Sequence, residues 1–295
     1  VRLRRRLPSD NYNMTYVFED NRQYIMPTHF GPMCGPRHTP TGGTFPQPDA
    51  RAITIVETGF RTAPEHLKQL LPPGFELLDA PLVRITLVQM HNIAWLAGRG
   101  YNTLGVTVPV RFTGDRDRAE GPLQLVLWEN LPDAILTGRD QLGFSKLYCE
   151  LPPFERHASR LAATASWMGH RFFELTIEEL RPADPPEVTA AAAHPKDIPR
   201  MGILNLRYLP DIDDSTRPRL TEATLVPFLR ETPAKVIERL TGRGSLGFCA
   251  TRWEDMPTQF RIVETLRALP MLEVLPAVLV RGIGACDARD QMSLR

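Results

Sequence analysis

Lysine is scarce in this chain: against a large excess of arginine there are four, Lys68, Lys146, Lys196 and Lys235. Chemistry that needs an amine therefore has few candidates. Cys34, Cys149, Cys249 and Cys286 are scattered without a C-x-x-C pair, which argues against a zinc site and a disulfide framework and fits a reducing compartment. The seven histidines form no H-E-x-x-H or H-x-H cluster, and no G-x-S-x-G nucleophile elbow is present. No apolar run is long enough to span a membrane. The formal net charge is +1, and the only basic run, "RLRRR" at residues 2–6, reads as a solvated arm. These absences exclude nucleic acid and membrane as partners and give the expectation of a cytoplasmic protein.

What is present is an apolar fraction of 42% in 295 residues, enough for a large core. Residues 1–50 are rich in Pro and Gly yet carry Tyr16, Phe18, Tyr24, His29 and Phe30, so they read as an arm that wraps the body or a neighbouring subunit. From residue 51 short β-branched runs recur: "AITIVETGF", "LVRITLVQMH", "GVTVPVRF", "LQLVLWEN", "LRYLP" and "LPAVLVRGI". Pro109 inside its run suggests an edge strand or a bulge. "TAPEHLKQLLPPG" predicts a helix capped by Thr62, and "TPAKVIERLTG" and "MPTQFRIVETLRAL" predict two more. "ERHASRLAATASWMG" is ambiguous, half helix and half strand. The fold class is thus β-rich α+β, an antiparallel sheet or barrel-like body with a few helices. The division is an arm at 1–50, one domain at 51–286 and a tail at 287–295.

Two short motifs carry little. "NMT" at residues 13–15 matches a glycosylation sequon with no secretory segment before it. "GRGSLG" at 242–247 has dinucleotide-binding spacing, but a helix-like segment precedes it where a strand is needed, so it reads as a helix-to-strand turn.

Lys146 stands apart from the other lysines. Lys68 and Lys235 lie in helix-like, charged segments and Lys196 in a proline-bracketed loop, whereas Lys146 lies in the apolar "QLGFSKLYC". On a strand, Leu142, Phe144, Lys146 and Tyr148 share one face. Its ammonium either snorkels into water along the aromatics or projects into an interior. Desolvation disfavours the charged form of an amine and so supplies a nucleophile.

Three segments are similar, in order, to the acetoacetate decarboxylase family: "DAPLVRITLVQMHNIAWLAGRGYNTLGVTVPVRF", "ENLPDAILTGRDQLGFSKL" and "LAATASWMGHR". The resemblance implies an antiparallel β-barrel-like body around an internal cavity, assembly into homo-oligomers, and Schiff-base chemistry at Lys146. Three helpers differ. The second lysine that the family's decarboxylases place after the reactive one is Leu147 here, and the positions of their two pocket glutamates match Thr86 and Thr103. An arginine near the first strand corresponds to Arg51. Arg51 and Arg139 are candidate carboxylate partners, with an ion pair to Asp140 or Asp133 as the other reading of Arg139. Tyr24, His29 and Trp253 are candidates for closing the pocket.

The resulting expectation is a lyase that forms an imine between Lys146 and a keto-acid carbonyl. The reaction is decarboxylation or aldol-, dehydration- or cyclisation-type chemistry, with no metal or organic cofactor. The alternatives are a non-catalytic barrel that binds a small hydrophobic acid, and a scaffold or oligomerisation protein.

Overall fold

Leu82–His91 is a strand from end to end, and most of the other β-branched runs lie within longer strands. The computed structural model describes residues 17–36, 38–78, 81–183, 200–228 and 235–295. Lys196, the sequon and the "RLRRR" run lie outside them. The strands are β1 (Asp49–Arg61), β2 (Phe75–Leu77), β3 (Leu82–His91), β4 (Tyr101–Thr113), β5 (Arg118–Glu129), β6 (Lys146–Tyr148), β7 (Glu155–His157) and β8 (Arg160–Trp167). They continue with β9 (His170–Pro182), β10 (Arg200–Pro210), β11 (Pro218–Pro227), β12 (Lys235–Phe248), β13 (Glu273–Val274), β14 (Ala277–Ala285) and β15 (Met292–Leu294). The helices are α1 (Pro64–Lys68), α2 (Pro132–Thr137) and α3 (Phe260–Arg267).

All of these strands join one sheet, in the order β15-β11-β10-β5-β4-β3-β1-β14-β12-β9-β8-β7, with β13 on β1, β2 on β4 and β6 on β5. The expected barrel is not closed: the order ends at β15 and β7 without returning on itself. Nor is the sheet purely antiparallel, because β10 and β6 both run parallel to β5. Parallel neighbours require a crossover, and for β6 the crossover is α2 with the turn that follows it.

Period-two alternation gives the central strands two different faces. On β3, Val83, Ile85 and Leu87 enter the main core, as do Leu104, Val106 and Val108 of β4, together with Trp128, Phe60 and Phe172. The opposite face of the same strands carries Thr86, Val88, Thr103, Gly105 and Thr107, which line a large cavity.

Several sequence expectations are corrected. Of the predicted helix at 232–242, the described part is strand β12, held between β9 and β14. Val236 and Ile237 suit a strand, and two-sided pairing overrides the local helical spacing. "GRGSLG" lies inside this strand rather than in a turn. Gly242 is small because a Cβ there would come within 2.6 Å of the Glu178 carbonyl oxygen. The segment 155–169 is a hairpin, β7 and β8, with no helical half. α1 spans Pro64–Lys68 without a side-chain cap from Thr62, whose buried hydroxyl has no partner among the described residues. Pro109 sits in a central strand, opposite Pro122 of β5. On the other side it falls between the pairings to β3 and β2, where no amide hydrogen is required of it. In the terminal segment, β15 adds to the sheet beside β11.

Candidate active site

Lys146 opens β6, and its placement is built from several sides. β6 pairs with β5 so that Lys146 stands beside Leu127 and Tyr148 beside Glu129. Buried Gln259 ties the two strands to the start of α3, accepting from Trp128 Nε1 at 2.6 Å and donating to the Tyr148 carbonyl at 3.2 Å. Before β6 the chain runs from α2 through a π-helical turn, Gly138–Leu142, that ends at Gly143 in the left-handed region, φ 79°. A Cβ at Gly143 would also crowd Arg207 and Thr224, so glycine is required there twice over. Gly138 has helical dihedrals and is required for space alone. A Cβ there would lie 2.3 to 2.5 Å from the Lys146 side chain.

The ammonium is buried, with the residue 8% exposed. It pairs with Glu129 Oε1 at 2.9 Å and donates to the Ala134 carbonyl of α2 at 3.0 Å. It also lies 5.7 Å from the centre of the Phe144 ring, within cation–π range. The apolar shell read from the sequence is therefore half of the environment, and a carboxylate supplies the other half. Burial pushes the Glu129 carboxyl above the ordinary range, against the pull of Lys146. Its second oxygen, Oε2, has no protein partner among the described residues.

Lys146 faces two spaces. The larger is a cavity of about 770 Å³ lined by β1, β3, β4, β5 and β10, with Leu142 and Phe144 beside the lysine. Arg84 and Glu57, paired at 2.7 Å and each about half exposed, form part of its lining. The smaller, about 70 Å³, lies against Tyr101, Trp95, Asp287 and Pro36 of the arm. Burial, followed by the charges of Glu129 and Asp287, drives the Tyr101 phenol far above its ordinary range.

The other sequence candidates separate. Thr86 and Thr103 line the large cavity with Lys146. Thr86 belongs to the cross-strand row Glu57–Thr86–Gly105–Leu127–Lys146, and Thr103 lies beside Glu129 in the next row. Arg51 lies outside the cavity lining. Its guanidinium is buried between Asp49, at 2.5 and 2.7 Å, and Asp287, at 2.8 Å, which leaves it committed to two carboxylates. Arg139 is exposed and lies outside the cavity lining, donating to the backbone carbonyl of Lys146 at 2.9 Å. It braces the strand that carries the lysine, a role that neither the substrate-carboxylate reading nor the alternative ion pair with Asp140 or Asp133 included. Tyr24 packs within the arm against Phe18 and accepts from the Glu19 amide, His29 lies in an exposed arm turn, and Trp253 is exposed.

Glu129 escaped the sequence reading because in the chain no carboxylate stands closer to Lys146 than Glu150. The available signal was the acid closing the apolar run "LQLVLW". Only the parallel pairing of β5 with β6 converts it into a neighbour.

The family model for acetoacetate decarboxylase (ADC) matches residues 26–282, so the match begins inside the arm. No curated protein matches the chain. Among solved structures, acetoacetate decarboxylase from Legionella pneumophila is 17% identical with a TM-score of 0.61, over 87% of this chain and 92% of that one. A second acetoacetate decarboxylase structure is 20% identical with a TM-score of 0.62, over 87% and 94%. The enduracididine biosynthesis enzyme MppR complexed with pyruvate is 18% identical with a TM-score of 0.54, over 85% and 94%.

Proposed function

Because the chain belongs to the acetoacetate decarboxylase family, we propose that it is a lyase-type enzyme that binds a keto acid covalently, as an imine, through Lys146. The observation that carries this reading is one buried amine, paired with a buried carboxylate, at the wall of a large cavity. A lone buried lysine needs a proton acceptor before it can attack a carbonyl. Glu129 is in contact with it, and its raised proton affinity suits it to take that proton. The neutral amine then adds to the substrate carbonyl, and loss of water gives a protonated imine.

That imine draws electrons from the bond on the adjacent carbon, which is C–CO₂ in decarboxylation and C–C or C–H in aldol-type steps. The proton that Glu129 took departs with that water, so the resulting enamine carbon takes its proton from solvent, and a second water releases the product and restores the protonated lysine. Thr86 and Thr103 stand where the family's decarboxylases carry carboxylates, and they hold a water or a substrate oxygen by neutral hydrogen bonds. Arg51 acts at a distance, neutralising Asp287 behind the lysine. Homo-oligomeric assembly, which the family resemblance implies, belongs to this proposal as well.

One observation favours the rival reading, a binding protein for a small hydrophobic acid: the ammonium is already satisfied by Glu129 and Ala134. Borohydride reduction in the presence of pyruvate or acetoacetate separates the two. The enzyme reading predicts a stable mass increase that Lys146→Arg abolishes, since arginine keeps the charge but cannot form the imine. Binding without any reducible adduct would leave the binding-protein reading.

A further inference from the structure

The size and lining of the space in front of Lys146 specify more than a keto acid. Resting on the imine reading above, we infer that the carbonyl substrate carries an extended apolar body, a chain or ring system of about eight to fourteen non-hydrogen atoms seated along β4 and β5.

Volume is the first argument. Pyruvate or acetoacetate, about six or seven non-hydrogen atoms, would take up ~200 Å³ even at the roughly 30 Å³ per atom that water occupies in the liquid. The cavity holds about 770 Å³. A small keto acid would leave most of it filled with water against Val88, Leu127, Phe144 and Ile203, which is unfavourable for apolar walls.

Direction is the second. Lys146 stands beside Leu127 of β5, and the cavity wall continues back along that strand through Gln124 to Pro122. Five residues of strand span roughly 16 Å. An extended chain advancing about 1.2 Å per atom would need about thirteen atoms to cover that length. Gln124 marks the middle of this path. Its amide group donates to the Val106 and Val126 carbonyls at 3.1 and 2.6 Å, which fixes the side chain against the wall. Across β4, Thr107 pairs with Gln124 and lines the same stretch. Charged residues of the lining besides Lys146 are Arg84 and Glu57, already paired with each other, so the distal space recognises apolar surface.

The test is reductive trapping of a series of straight-chain 2-keto acids, from pyruvate to a ten-carbon chain, scored by mass spectrometry of the Lys146 peptide. Burying a methylene corresponds to about a fourfold gain in affinity when transfer is complete. The concentration giving half-maximal adduct is expected to fall at least tenfold across the series. Thr107→Phe, which fills the distal space without touching Lys146 or Glu129, is expected to erase that gain and leave pyruvate trapping unchanged. Adducts of equal strength along the wild-type series would overturn the apolar-body inference while leaving the imine chemistry standing. No Lys146 adduct with any member would overturn both.

Discussion

At the scale of single residues the decisive pair is Lys146 and Glu129. Two buried charges cost desolvation that their attraction repays only with good geometry, so the pair is poor evidence for stability and better evidence for use. Glu129→Gln keeps the shape and a hydrogen-bond acceptor but cannot take a proton. Imine formation at pH 7 should fall about a hundredfold, the lower end of what a positioned base contributes, and recover in alkali, where hydroxide removes the proton instead. Trapping rates measured across pH check this. A variant with the wild-type rate and profile would show that Glu129 is only a counter-ion. The lysine itself was readable in the sequence as the one amine in apolar company. Its carboxylate was not, because local spacing carries no information about which strand lies alongside.

At the scale of elements, β6 is three residues long and would have little stability alone. It is held by β5, by Gln259 and by Arg139, whose guanidinium binds the Lys146 carbonyl oxygen. Arg139→Met should therefore cost about 1 to 2 kcal/mol of stability and slow trapping about tenfold, since small misplacements of a reacting group are expensive. The pH profile should keep its shape, because Arg139 touches neither substrate nor the transferred proton. A displaced profile would give it a direct electrostatic role. Elements with clean period-two patterns, such as β3, were legible in advance. β12 was not, since "VIERL" fits a helix until β9 and β14 flank it.

At the scale of the molecule, strand richness and scarcity of helices were evident from the sequence, while the open, mixed order of the sheet depended on two crossovers that composition does not encode. The arm and the C-terminal segment are joined to β1 by a charged cluster: Gln47 and Arg51 bind Asp287, and Asp49 binds Arg51 and the Ala94 amide. Burial alone would raise the Asp49 carboxyl, but the hydrogen bonds from Arg51 and Ala94 prevail and hold it below its usual 3.8. A carboxyl with a lowered folded value adds stability above its unfolded value and loses it as the pH falls through the folded one. Asp49→Asn should thus melt earlier than wild type at pH 6 to 8, and the two curves should converge as the pH drops below about 3.8. Melting temperatures taken across that range decide it, and a constant gap at every pH would mean that the charge is not what matters.

The central claim is that Lys146 is the reacting amine. It is tested most directly by reducing the wild-type protein with a keto acid and borohydride at several pH values and mapping the adduct among Lys68, Lys146, Lys196 and Lys235. The account predicts one modified peptide, that containing Lys146, with labelling that saturates in substrate. Equal labelling of all four lysines, or a label on any of the other three alone, would contradict it.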